Sequence, residues 1–181
     1  VYKLSPGKFI IYDQSSGLPG KTVYAVSEYE KGKFLVADQA GLSRIENGKI
    51  SRLHEGKQFY KALRDVFTDS KGNVWVSGWH GTIRQSPDGS QKLFDKSCGL
   101  KADYVRFVFE DSQGQIWFGT TTGLARLDGE TVKVFGIEDG LKHPMVLSLT
   151  ETAEGALWIS TPAGINILKN KQLSGVEFPE N

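Results

Sequence analysis

Asp111-Ser112-Gln113-Gly114-Gln115-Ile116-Trp117-Phe118-Gly119-Thr120 is the stretch on which the fold turns. The same pattern stands earlier as Asp69-Ser70-Lys71-Gly72-Asn73-Val74-Trp75-Val76-Ser77-Gly78, and later, shortened, as Glu154-Gly155-Ala156-Leu157-Trp158-Ile159-Ser160-Thr161. Trp75, Trp117 and Trp158 are therefore 42 and then 41 residues apart. A weaker copy over residues 31–37 puts Leu35 in the tryptophan slot, 40 residues before Trp75. Other columns keep the period independently. Gly41, Gly81, Gly123 and Gly164 form one, and Val26, Val66, Val108 and Leu149 another. Leu53, Phe94, Phe135 and, after a longer gap, Phe178 form a third. A period near forty, made of short alternating strands and turns, is the sequence mark of a β-propeller.

Within one period the apolar residues alternate with polar ones over short runs, as half-buried strands require. In the third unit this predicts strands over 104–110, 115–119, 124–127 and 131–135, an antiparallel meander that makes one blade. The Asp of each turn can accept nearby backbone N–H groups, and the Gly three residues on supplies a positive φ. Asn47-Gly48, Asp88-Gly89 and Asp128-Gly129 are hairpin signals between third and fourth strands. Phe59, Leu63 and Val66 have helical spacing, but the repeat aligns Leu63 with Val23, Val105 and Val146, so residues 63–68 are expected to be a strand.

The predicted class is all-β: a propeller of about four blades and half of another. Residues 1–12 read as the half blade, followed by blades at 13–54, 55–95, 96–136 and 137–178. Half a unit at one end and a whole one at the other suggest a piece of a larger propeller, with a four-bladed ring as the alternative. Trp75, Trp117 and Trp158 are expected to wedge between blades as core.

Charge and composition narrow the function. Twenty-two basic against 21 acidic residues leave a formal net charge of +1, without a basic run, so nucleic acid is not an expected partner. Apolar runs are too short for a membrane helix, so this segment is not expected to insert. Cys98 is the single cysteine, and His54, His80 and His143 lack metal-ligand spacing; no metal site or cofactor is expected.

The pattern Asp-x-x-Gly-x-aliphatic-Trp-x-Gly/Ser-Thr-x-x-Gly-Leu-x-Arg-Leu is complete over 111–127. Gly17-Leu18, Gly99-Leu100 and Asp139-Gly140-Leu141 precede first strands at matching points. These residues resemble the two-component regulator propeller repeats of bacterial sensor proteins. The resemblance spans the chain, strongest over 96–136 and weakest over 14–54. It implies a propeller outside the cytoplasmic membrane, in the periplasm or beyond. It also implies a histidine kinase or diguanylate cyclase output beyond this chain, and a small-molecule partner such as a saccharide.

A propeller gathers the loops entering first strands, and those joining second to third strands, on one face. Trp79-His80 stands there where the other units have Gln39-Ala40, Thr121-Thr122 and Pro162-Ala163. An exposed indole beside an imidazole suits stacking on a sugar ring; the plainer reading is a rim residue covering its own blade. Arg64 and Arg106 are at equivalent places in their first strands. They are expected either to ring an axial channel, with Tyr104 beside them, or to pair with Asp65 and Asp103. No catalytic set of residues stands out, so a ligand-sensing role without turnover is expected. The alternatives are a protein-interaction scaffold and a propeller lyase. Exposed blade edges are expected to favour self-association.

Overall fold

The computed structural model describes residues 2–5, 8–53 and 63–176. A hairpin of β1 (Tyr2–Ser5) and β2 (Lys8–Ile11) precedes four antiparallel sheets. The first sheet holds β3 (Val23–Glu30), β4 (Lys33–Asp38), β5 (Gly41–Glu46) and β6 (Lys49–Leu53). The second holds β7 (Leu63–Thr68), β8 (Val74–Gly78), β9 (Gly81–Gln85) and β10 (Gln91–Phe94). The third holds β11 (Val105–Glu110), β12 (Ile116–Thr120), β13 (Leu124–Asp128) and β14 (Thr131–Phe135). The fourth holds β15 (Ser148–Glu151), β16 (Leu157–Thr161), β17 (Gly164–Lys169) and β18 (Gln172–Gly175). Each is a meander in chain order, and the third unit's strands lie within one residue of those expected. Residues 63–68 form a strand, as the repeat register requires. His54, Phe59 and Phe178 lie outside the described residues.

The Asp turn holds the second strand in place. Asp111 Oδ1 accepts the Gln113 and Gln115 N–H groups at 3.0 and 2.9 Å, and Oδ2 accepts the Trp117 indole N–H at 2.8 Å. Asp69 does the same for Lys71, Asn73 and Trp75. The six-residue spacing from Asp to Trp thus satisfies a buried indole that would otherwise be an orphan donor. Gly81 has φ +95°, and a Cβ there would lie 2.2 Å from the Phe94 carbonyl oxygen, so the glycine column allows the third strand to start tight against the fourth.

Trp75 and Trp117 are 1% and 4% exposed and pack into successive inter-sheet cores. Trp158 departs from expectation: it is 37% exposed. Among the described residues no further sheet covers it, and Thr152 stands where Asp69 and Asp111 accept the indole N–H. The hairpin turns also differ in detail. Asp88-Gly89 lies in a five-residue loop, because Gln85 pairs with Gln91. Asn170 and Lys171, with φ of 53° and 65°, form a two-residue turn in the fourth sheet that the Gly-based signal did not mark.

The Gly-Leu pairs have a shared structural task. Short 3-10 turns at Gln14–Ser16, Lys96–Cys98 and Ile137–Asp139 end on Gly17, Gly99 and Gly140 in the left-handed conformation. The next residues, Leu18, Leu100 and Leu141, are buried. Each leucine fills a cluster that stands between or within sheets. Polar bonds tie neighbouring sheets as well: Ser27 to Thr68, the Gly81 N–H to the Asp103 carbonyl, and the Val146 N–H to the Thr120 carbonyl.

Candidate functional site

The first strand of each of the first three sheets carries a bulge near its start. Pairing skips one residue between Val23 and Ala25, between Leu63 and Asp65, and between Val105 and Phe107. The extra residues are Tyr24, Arg64 and Arg106. A bulge re-aims the side chain it carries, and here one device acts three times at the same register. In the fourth sheet the matching residue is Leu147, just before β15.

These side chains meet. The Arg64 guanidinium lies 4.2 Å from the centre of the Tyr24 ring, and its Nε donates to the Tyr104 hydroxyl at 2.8 Å. Trp79 packs on Tyr104 with ring centres 4.6 Å apart and planes tilted by 35°. The Arg106 guanidinium is 5.9 Å from the Tyr104 ring centre. Hydrogen bonds donated by Arg64 to Tyr24 and, less strongly, to Tyr104 favour its charged form and outweigh its desolvation. Arg106 Nε is buried and has no acceptor among the described residues.

The structure therefore brings Arg64, Trp79, Tyr104 and Arg106 into one cluster, with His80 exposed beside them as the turn neighbour of Trp79. The expected arginine–aspartate pairs are replaced by other bonds. Asp65 accepts the Val108 N–H at 2.7 Å across the sheet junction, and Asp103 takes Lys96 at 2.7 Å. The Asp65 carboxylate is taken by the Val108 N–H and the Arg64 guanidinium by Tyr24 and Tyr104, so the two neighbours bond elsewhere. Burial pushes the Asp65 carboxyl up to about 6, with the N–H donors of Val108 and Val66 opposing it.

Sequence reasoning did not select Tyr24. The signal was present: Tyr24, Arg64 and Arg106 each follow a member of the Val23, Leu63, Val105 column. The cluster offers two cations, a tyrosine hydroxyl and a half-exposed indole (53%) on one surface. Such a surface can stack on a ring and donate hydrogen bonds to hydroxyl or carboxylate oxygens.

Residues 99–122 match the family model described as two component regulator propeller. Over this stretch the chain is similar to a two-component regulator propeller repeat. It contains the Gly99-Leu100 junction, the bulge at Arg106, the Asp111 turn and Trp117, so the residues that define the repeat are those that build a blade. No curated protein matches the chain at a significant level. Solved structures do. One is the extracellular domain of a B. thetaiotaomicron protein assigned to a hybrid two component system, with a TM-score of 0.78 and 21% identity, covering 92% of this chain and 24% of that one. Another is the extracellular domain of a B. thetaiotaomicron protein assigned to a one component system, with 0.74 and 14%, covering 91% and 25%. A third is virginiamycin B lyase from Staphylococcus aureus, with 0.69 and 18%, covering 87% and 56%. The fold is that of a β-propeller, and this chain spans about a quarter of the length of the first two structures. Among the described residues no helix is long and apolar enough to cross a membrane.

Proposed function

We propose that the chain is the ligand-sensing part of an extracytoplasmic propeller in a bacterial membrane signalling protein, binding a small molecule without turning it over. The observation that carries this reading is the cluster of Tyr24, Arg64, Trp79, Tyr104 and Arg106, in which side chains from three recurring bulges meet Tyr104 and the Trp79 of a turn that departs from the other repeats. A saccharide suits it: the indole face offers stacking, and the guanidinium groups and Tyr104 offer donors to ring hydroxyls. The regulator-propeller match and the likeness to extracellular domains of two-component proteins support the location and the signalling role.

Thermal-shift screening against neutral and acidic saccharides, amino acids and organic acids tests it. A ligand raises stability by mass action, as the logarithm of its concentration once that exceeds Kd. The expected result is a hit that Trp79→Ala and Arg64→Gln each weaken at least tenfold. A hit indifferent to both variants removes this cluster as the site, and product formation during the incubation favours the lyase reading.

A scaffold role has one observation of its own. Val26 on the first sheet is 42% exposed and Trp158 on the fourth is 37% exposed, so both ends of the sheet stack offer apolar side chains for assembly.

A further inference from the structure

At the end of the sheets opposite the Trp79 turn, the junction between the second and third sheets is closed by one carboxylate. Glu130, on the β13–β14 turn, pairs with Arg84 of β9 at 3.3 Å and with Lys92 of β10. The period carries these three positions forward to Lys171, Arg126 and Lys133 at the next junction. Strand register supports the equivalence. Arg84 stands opposite Trp75 and Lys92, as Arg126 stands opposite Trp117 and Lys133. The Asp128–Thr131 turn corresponds to the Lys169–Gln172 turn. Both cations of the first junction are kept, while its carboxylate has become a third cation.

The structure has a cleft of about 630 Å³ at that second junction, lined by Arg126, Lys133, Lys169, Lys171, Glu151 and Glu154. The carboxylates there are already engaged. Glu151 accepts the Ser112 N–H and hydroxyl, each at 2.7 Å. Glu154 is held below the usual carboxylate range, mainly by its bond with Thr152 and least by attraction to Lys169. Arg126 reaches Asp128 at 2.8 Å, yet its Nε is buried without an acceptor among the described residues. The Lys133 ammonium lies 5.1 Å from the Phe135 ring centre. Among the described residues, Lys133 and Lys171 form no ion pair within 4.0 Å, whereas Lys92 does at the junction before.

We propose that this cleft binds a small oxyanion-bearing solute, whose carboxylate or phosphate group takes the place that Glu130 fills one junction earlier. Its volume lies within the usual range for small-molecule sites. Two flexible ammonium groups and a partly buried guanidinium lining one cleft match an anion with several acceptor oxygens. The site is separate from the Tyr24–Arg106 cluster and stands or falls without it.

Calorimetric titration of the 181-residue chain with glucuronate, citrate and inorganic phosphate is the test. Saturable binding of at least one probe at millimolar concentration or below is expected, at least tenfold weaker in Lys171→Glu. Preference for the carboxylates or for phosphate identifies which oxyanion the site takes. Lys133→Gln serves as the second variant should Lys171→Glu fail to fold. Absence of saturation with all three probes overturns the proposal. So does binding that survives both substitutions, or that falls equally in Lys21→Glu, a remote exposed lysine.

Discussion

Ser70 donates both its backbone N–H and its hydroxyl to the Glu110 carboxylate of the next sheet, at 2.7 and 2.6 Å. Ser112 repeats the arrangement with Glu151 one junction on. The serine follows the turn Asp and the glutamate ends or nearly ends a first strand, so each blade's turn grips its neighbour's innermost strand. Two charge-assisted bonds at an exposed place contribute about 1 kcal/mol. In a urea double-mutant cycle, Ser70→Ala and Glu110→Ala are expected to show a coupling of about half that size, because Ser70→Ala removes the hydroxyl bond and keeps the backbone one. Strict additivity would mean that the Ser70 hydroxyl bond adds nothing to the clasp.

The Asp turn and its tryptophan make a steeper prediction. Asp111→Ala strands the indole N–H of a buried Trp117 and two turn N–H groups, for a cost of about 2–4 kcal/mol. Trp117→Ala leaves a cavity between sheets and is expected to cost about 3–5 kcal/mol. Trp158→Ala removes a side chain that solvent already reaches and lacks an Asp acceptor, so its cost should stay well below that of Trp117→Ala. Equal denaturation midpoints for the two tryptophan variants would contradict this account.

Much of the fold was legible because one physical solution is written repeatedly, with single features replaced in single copies. Turn Asp, Gly, Trp and the Gly-Leu junction recur at a fixed spacing, and each recurrence checks the others. The candidate site was only partly legible. Trp79 stood out because it breaks a small-residue turn, and Arg64 and Arg106 because they match. Tyr24 was hidden by its chemistry, since an aromatic in a strand reads as packing until the bulge is seen. The partners of Arg64 were misread as well: adjacency to Asp65 suggests a pair, but Asp65 accepts the Val108 N–H across the sheet junction and Arg64 donates to Tyr104. Trp158 shows the reverse limit, because a repeat motif predicts burial only where a neighbouring sheet supplies the cover.

Asp65 gives a pH signature. Its folded carboxyl titrates at about 6, above its unfolded value, so the folded state holds this proton more tightly. That contribution is complete below about pH 4 and is lost as pH rises through 6. Two pKa units correspond to roughly 3 kcal/mol lost by neutral pH. Asp65→Asn keeps an oxygen to accept the Val108 N–H but has no proton to lose. The difference in unfolding free energy between variant and parent should therefore grow in favour of Asp65→Asn from pH 4 to pH 7.5. A difference that is flat across that window would rule out a raised Asp65 carboxyl.

Assembly is the last expectation the exposed ends raise. Between sheets, the array buries Trp75 and Trp117 completely and satisfies both indoles, while Trp158 keeps the same strand position with solvent beside it. At the other end, alternate residues of β3 face outward, among them Val26. An aromatic and a row of strand side chains, each shaped for a neighbouring sheet, will seek one. Light scattering at micromolar to hundred-micromolar concentration should show a mass that rises above that of the 20.0 kDa chain, and Trp158→Glu should reduce it. Should parent and variant both remain monomeric throughout, these end faces do not drive association. If instead both associate equally, the contact lies elsewhere, and the unpaired edges of β6, β10 and β14 become the surfaces to block.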